Sequence, residues 1–397
     1  MNIIKSVKSG EILSNHRFAT FLWFALSFIG VLPEVLKGRI HNYFVFKSVY
    51  LNLLEQHNLY IPFNDNLYGP LFGIIIAPFT YLPDAIGAIL WALLNAWFLY
   101  YAINKLPVSK SQKAFIIIVS SLEMMNVASY VQTNAAAAAC IILGYCFIQE
   151  GKEWKAAFFI LLATFVKIYG IVGLAFFFFS KRPFRFILWM IIWSVVFFVA
   201  PMLLSNPSFI LQSYVDWKNT ILRKNANNHE SLFQNISLPG FLKRTLRLDI
   251  DNNLVILAGM ILFLSQYIRF RYFSDKRLQL YILCSTLIFV VIFSSSSETP
   301  TYIISFVGVC LWYVLQNKST TTNIVMIAAF VLTSLSQTDL FTPHFRDVFM
   351  RPYCIKAVGS IAVWFIIIYQ IWKKQFLTIP PVSETDTVSV EKAAALS

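Results

Sequence analysis

From Phe18 to Trp372 the chain is a succession of apolar runs separated by polar or basic segments. An apolar run of about twenty residues, wound as a helix, matches the hydrocarbon thickness of a bilayer and satisfies its own backbone, so this pattern restricts the chain to an all-α polytopic membrane fold. The first run, FATFLWFALSFIGVLPEVL (18–36), lacks a small-residue cleavage site and reads as a retained helix. Further spans are expected at about 68–83, 85–104, 114–130, 133–149, 155–180, 184–204, 253–270, 278–294, 300–316, 323–336 and 356–372. About twelve crossings of this kind put both termini in the cytoplasm. With 58% hydrophobic and only 13% charged residues, a soluble fold is excluded.

Charge sets the orientation. The net charge of +13 is carried by short clusters between the runs, a layout that fits lipid headgroups and the topology rule and gives no basic stripe for nucleic acid. Lys181, Arg182 and Arg185, then Arg269, Arg271, Lys276 and Arg277, and finally Lys373 and Lys374 all fall inside. The loop with Lys105, Lys110 and Lys113 falls outside and violates the rule. If the run 155–180 were two half-helices broken at Lys167 to Gly170, everything after it would invert. Residues 1–376 form the membrane domain and 377–397 a disordered cytoplasmic tail. Cys140, Cys146, Cys284, Cys310 and Cys354 lie in or near apolar runs without metal or disulfide spacing, and read as buried thiols.

The segment from Leu36 to Asp84 is too polar to cross as a whole and is long for a connector. Within it Ser48, Asn52 and Glu55 recur at helical spacing among Phe44, Val45, Val49, Tyr50, Leu51, Leu53 and Leu54, as in a helix lying in the membrane interface. His41, His57, His229 and His344 fall on the same outer side, with the second large loop at 205–251, the SSSSETP turn and 337–355.

Glu123 and Lys167 stand inside spans at comparable depth, where an unpaired charge costs on the order of 3 kcal/mol. They are expected to pair and bridge two helices, or else each to snorkel or line a wet cavity. Gln132 and Asn134 sit at the membrane boundary of QTNAAAAAC, whose alanines permit close helix packing. In the second loop, His229, Glu230, Asn235, Ser237, Lys243 and Arg244 lie close in sequence; cations beside amides suit a phosphate, and ordinary solvated loop chemistry looks similar. NIS at Asn235 also fits a glycosylation sequon. There is no Walker, H-E-x-x-H or G-x-S-x-G motif, which speaks against nucleotide-driven transport.

NYFVFKSVYLNLLEQHNLY, followed by YGPLFGIIIAPFTYLPD and LLNA, resembles glycosyltransferase family 87, polyprenyl-phosphate-mannose-dependent transferases of the GT-C superfamily. Gln132-Thr133-Asn134 looks like the family's Gly-Gln-x-Asn, Lys167 like its membrane lysine, and NISLPGFLKR like its Asn-Gln-Ser-Leu motif with a following Arg. SSSETPTYIISFVG and SLSQTDLF resemble a Bacteroidetes-type subgroup. Asn42 stands where the family has its acidic residue, and an amide takes no proton at neutral pH. Glu298, Thr299 and Thr301 stand where many members have a histidine motif.

The resemblance implies transfer of a hexose, such as mannose, from a polyprenyl-phosphate donor to a lipid-linked or envelope glycan on the extracytoplasmic side of the plasma membrane, by an inverting mechanism without a certain cofactor. Such chemistry needs a base for the acceptor hydroxyl and cations or amides for the leaving phosphate. Asp65 is the first candidate base, from its place beside Tyr68 at the mouth of the second span, although a turn residue would look alike. Glu298, Glu34 and Glu230 follow. Lys243 and Arg244, then Lys47, are the phosphate candidates, and Asn42, Tyr68, Gln132, Asn134, Lys167, Asn235, Ser237 and Thr301 complete the expected site. The alternatives are a transporter or flippase of lipid-linked saccharides, against which the lack of an internal repeat counts, and an inactive relative, which Asn42 leaves open.

Overall fold

The computed structural model describes residues 11–60, 66–228, 233–336, 338 and 342–379, so the expected tail beyond residue 379 lies outside the described residues. Every regular element among them is helical. In chain order these are α1 (His16–Leu36), α2 (His41–Glu55), α3 (Leu71–Thr80), α4 (Asp84–Lys105), α5 (Lys110–Ser129), α6 (Asn134–Gln149), α7 (Glu153–Lys167), a 3₁₀ helix (Tyr169–Phe179) and α8 (Pro183–Val199). There follow α9 (Pro207–Asn228), α10 (Leu238–Arg244), α11 (Asn252–Ser265), α12 (Lys276–Ile292), α13 (Tyr302–Leu315), α14 (Thr320–Phe330) and α15 (Ile355–Trp372). Among the described residues, five stretches are helical, long and apolar enough to cross a membrane: His16–Leu36, Asp84–Lys105, Pro183–Leu203, Asn252–Tyr272 and Ile355–Trp372. All five cysteines are free and buried.

Side-chain contacts fix the direction of each helix. The His16 imidazole meets Asn104 Oδ1 at 2.7 Å, Thr20 Oγ1 meets the Tyr100 hydroxyl at 2.8 Å, and the Trp23 indole donates to Ala96 O at 2.9 Å. Helices α1 and α4 therefore run antiparallel, with Lys105 at the His16 end. Lys105 in turn pairs with Glu150 at 2.8 Å and brings the end of α6 there.

Two stretches expected to be single spans are built otherwise. α3 is only ten residues long, about 15 Å at the helical rise, which is half the hydrocarbon thickness. Its last turn is held to α2 by the Tyr43 hydroxyl donating to Phe79 O at 2.8 Å, and Asp84, four residues on, pairs with Lys47 of α2 at 2.7 Å. The chain thus enters and leaves α3 at the same end of the bundle. In the run 155–180 the chain turns back. Ile168 adopts the left-handed region (φ 62°), and the 3₁₀ helix returns along α7 until Ser180 Oγ donates to Glu153 Oε1 at 3.5 Å. Gly170 makes the close return possible: a Cβ there would lie 2.2 Å from Ile160 O and 2.6 Å from Thr164 N, both immovable backbone atoms. This is the break at Lys167 to Gly170 that the sequence left open. The two changes offset one another. Lys105, Lys110 and Lys113 now share the His16 end with Lys152 and Lys181, and the violation seen in the sequence disappears.

The remaining helices keep this alternation. Gln112 donates to Val314 O at 2.7 Å, Gln316 to the Tyr281 hydroxyl at 2.9 Å, and Arg277 to Leu377 O at 3.1 Å, so α5, α12, α13 and the exit of α15 meet at the His16 end. A helix forms over the expected stretch as α2, with Phe44, Leu51 and Leu54 exposed and Tyr43, Phe46, Val49 and Leu53 packed inward.

Glu123 and Lys167 do not pair. The Lys356 ammonium of α15 lies 2.7 Å from Glu123 Oε1 and donates also to Thr333 O at 2.7 Å, in a pair whose side chains are each 1% exposed. Depth along a helix is readable from sequence, but the direction in which a side chain faces around the bundle is not. Glu123 faces α15 rather than α7.

Candidate functional site

At the bundle end opposite His16, three chain reversals converge. The first is the entry to α3. Asn66 Oδ1 accepts from Tyr68 N at 2.9 Å, the Tyr60 hydroxyl donates to Tyr68 O at 2.9 Å, Gly69 N donates to Val166 O at 3.1 Å and the Trp217 indole donates to Leu67 O at 3.0 Å. Held in this way, the Tyr68 ring stacks on Phe72 (centroids 4.5 Å apart) and its hydroxyl sits between Gln132 Oε1 at 3.0 Å and Thr133 Oγ1 at 3.1 Å.

The second reversal is the α7 turn. Lys167 ends α7 with its ammonium donating to Asn134 Oδ1 at 2.9 Å, 5.5 Å from the Tyr68 ring centroid and 5.4 Å from that of Tyr169. A lysine held by an amide and two aromatic faces keeps its charge oriented while most of its water is gone.

The third is the serine-rich turn between α12 and α13. Its backbone is fastened by Asn235 N to Ser295 O (3.0 Å), Ile236 N to Ser297 O (2.9 Å) and the Asn228 amide to Ser296 Oγ (3.0 Å), with Ser295 also bonded to Asn225. This turn presents Glu298, whose carboxylate caps the backbone N–H of Thr301 while Thr301 Oγ1 accepts from Glu298 N at 3.2 Å. Glu298 lies within electrostatic reach of Lys167 and of Lys224 on α9. Burial pushes its carboxyl above the ordinary glutamate range, and the two ammonium groups only partly offset that rise.

Of the residues expected from sequence, Tyr68, Gln132, Asn134, Lys167, Glu298 and Thr301 are gathered here. Asn235 and Ser237 form the adjoining wall, with φ 53° at Asn235 and the Ser237 hydroxyl donating to Asn235 Oδ1 at 2.6 Å. Arg244 donates to Asn235 O at 2.7 Å and so supports that wall's backbone, while Lys243 occupies the last turn of α10. Asn42 donates its amide to Tyr130 O at 2.8 Å, Lys47 is paired with Asp84, and Glu34 pairs with Arg39 at 2.9 Å on the surface. Asp65, His229 and Glu230 lie outside the described residues. Tyr169 and Lys224 also reach this region, outside the residues expected from sequence. For Tyr169 the available signal was its position beside a membrane lysine and a helix-breaking glycine; for Lys224 there was none, because its approach to Glu298 depends on how α9 folds over the turn.

Below Lys167 and Thr133 opens an apolar cavity of about 230 Å³, walled by Phe72, Trp91, Leu94, Trp97, Ala137 and Leu162 among others. Leu94 and Trp97 also line an adjoining apolar cleft of about 670 Å³, with Phe24, Phe28, Phe79, Leu90 and Leu93. The arrangement joins a cation and a carboxylate to a hydrocarbon-lined space, as a phosphorylated lipid requires.

The model of glycosyltransferase family 87 matches residues 66–295, more than half of the chain. The chain belongs to glycosyltransferase family 87. This family-87 protein is a membrane glycosyltransferase, and the matched range contains Tyr68, Gln132, Asn134, Lys167, Asn235, Ser237, Lys243 and Arg244. Glu34, Asn42, Lys47, Asp65, Glu298 and Thr301 fall outside it. Among curated proteins, none matches the chain.

Proposed function

We propose that the protein transfers a hexose from a polyprenyl-phosphate donor to a lipid-linked or envelope glycan on the extracytoplasmic face. The observation that carries this reading is the adjacency of Lys167, Glu298 and an apolar cavity. The donor phosphate rests on the Lys167 ammonium beside Asn134, and the polyprenyl chain follows the cavity toward the cleft. Glu298, raised in basicity by burial, accepts the proton of the acceptor hydroxyl. The acceptor oxygen bonds the anomeric carbon from the face opposite the phosphate, the carbon–oxygen bond to phosphate breaks, and the departing charge falls on Lys167. Glu298 thereby does the work for which Asn42, already committed as a hydrogen-bond donor, is unfit.

Sidedness rests on charge. Lys105, Lys110, Lys113, Lys152, Lys181, Arg277 and Lys373 lie at the His16 end, as the positive-inside rule asks of a cytoplasmic face, while Lys37 and Arg39 sit in the α1–α2 turn at the other end. About twelve passes with both termini inside account for the alternation of helix directions. The test is incubation of the purified protein with labelled polyprenyl-phosphate hexoses, or with nucleotide sugars, and extracted membrane lipids. Label should pass to a lipid only from the polyprenyl-phosphate donors; transfer only from nucleotide sugars would sink the reading.

The pH profile gives a second check. Protonated Glu298 accepts no proton, so kcat/KM should fall as pH drops through its pKa, with an acidic limb above the ordinary glutamate value of about 4.3. Lys167 and Lys224 hold that pKa down. Replacing Lys167 by Met should therefore move the limb to higher pH as well as lower the rate, and a limb that stays in place would separate the two residues.

A further inference from the structure

On α9 the side chains that hold the helix to the site run along one line, and Lys224 belongs to it. Trp217 donates to Leu67 O at the entry to α3, and Asn228 donates to Ser296 Oγ of the serine turn at 3.0 Å. At about 100° per residue, Lys224 falls within about 20° of Trp217 and about 40° of Asn228 around the helix. Its side chain therefore leaves α9 toward the two turns that carry Tyr68 and Glu298, and it lies within electrostatic reach of Glu298. Lys47 and Lys356 each rest on a carboxylate, and Lys167 on an amide oxygen. Half-buried Lys224 makes no hydrogen bond or ion pair among the described residues. An ammonium that has given up part of its water without gaining an acceptor is under-satisfied, and a ligand that supplies one is favoured there.

We infer that Lys224 binds a negative charge on the acceptor, which is therefore an anionic molecule with a phosphate or carboxylate close to the hydroxyl that receives the sugar. The inference rests on the transfer reading and on Glu298 as its base. The donor phosphate is assigned to Lys167 on α7, and the acceptor hydroxyl must touch Glu298. Lys224 reaches the same carboxylate from a different element, α9, and the donor does not use it. A group held there sets the acceptor hydroxyl against Glu298, which makes Lys224 a binding and positioning residue for the acceptor.

The test uses the full-length protein, a labelled polyprenyl-phosphate hexose and a membrane lipid extract divided by anion exchange into unretained and retained fractions. Label should pass to the retained, anionic fraction. Kinetics are run on the alkaline side of the Glu298 limb, where that carboxylate is ionised in parent and variant alike. Lys224→Met should raise KM for the anionic fraction by about ten- to a hundred-fold, the range of one charge-assisted hydrogen bond, with KM for the donor unchanged. Lys224→Arg should keep most of the acceptor affinity. Lys218→Met removes an exposed charge about 120° away around α9 and should leave that KM where it was. Amide coupling of the carboxylates in the extract separates the two sources: labelling that is lost assigns a carboxylate, and labelling that persists assigns a phosphate. The proposal is overturned if the unretained fraction takes label as readily as the retained one, or if Lys224→Met leaves acceptor KM unchanged. The fractionation needs only the parent protein, so a variant that fails to fold does not shield the idea. Both overturning results require that transfer has been seen and leave the reaction standing, whereas transfer to neither fraction would remove the reaction and this inference together.

Discussion

Replacing Glu298 by Gln is expected to lower kcat for sugar transfer by about 10²–10⁴-fold, the range supplied by a positioned base. The amide is nearly isosteric and its oxygen still accepts from the Thr301 backbone N–H, so the serine turn keeps its shape. Binding of the donor should change little, because its phosphate is assigned to Lys167 and Asn134. The experiment is a transfer assay on protein whose thermal unfolding matches the parent. Activity retained within a few-fold would move the base to another acid, with Asp65 the first to examine.

The largest stability effect is expected at Lys356. Its ammonium is the counter-charge of Glu123, inside the bundle and with both side chains 1% exposed. Lys356→Met strands a buried carboxylate and should cost about 3–5 kcal/mol, seen as a markedly lower unfolding temperature in detergent and poor yield. Adding Glu123→Gln should recover most of that loss, because what destabilises is the unpaired charge rather than the missing pair. If the single variant unfolds like the parent, the two groups are not coupled as described. The pair sits behind the site: the Lys356 ammonium lies 5.4 Å from the Tyr302 ring centroid, and the Tyr302 hydroxyl donates to Ile236 O at 2.8 Å. Repair of folding in the double variant therefore also reports on the wall formed by residues 235–237.

Several residues of the candidate site stand out in the sequence, because they lie at boundaries between apolar and polar sequence. Tyr68, Gln132, Asn134, Lys167 and Glu298 each stand where an apolar run starts, stops or is interrupted, and such positions are few in a membrane chain. Arg244 illustrates the limit. A cation near amides suggested phosphate, yet its guanidinium supports the Asn235 carbonyl, and nothing in local sequence separates those uses. Lys47 and Glu34 read as functional for their chemistry alone and are found in ion pairs with Asp84 and Arg39.

The sequence by itself determined the all-helical membrane class, because apolar runs of bilayer length with self-satisfied backbones have few other solutions. It determined as well that the helix His41–Glu55 would form, since the spacing of Ser48, Asn52 and Glu55 is a local property. Tertiary structure decided which runs fold back, since hydropathy measures how apolar a segment is and not where its two ends lie. It likewise chose the partner of Glu123, because the facing of one helix toward another depends on contacts made more than two hundred residues apart in sequence.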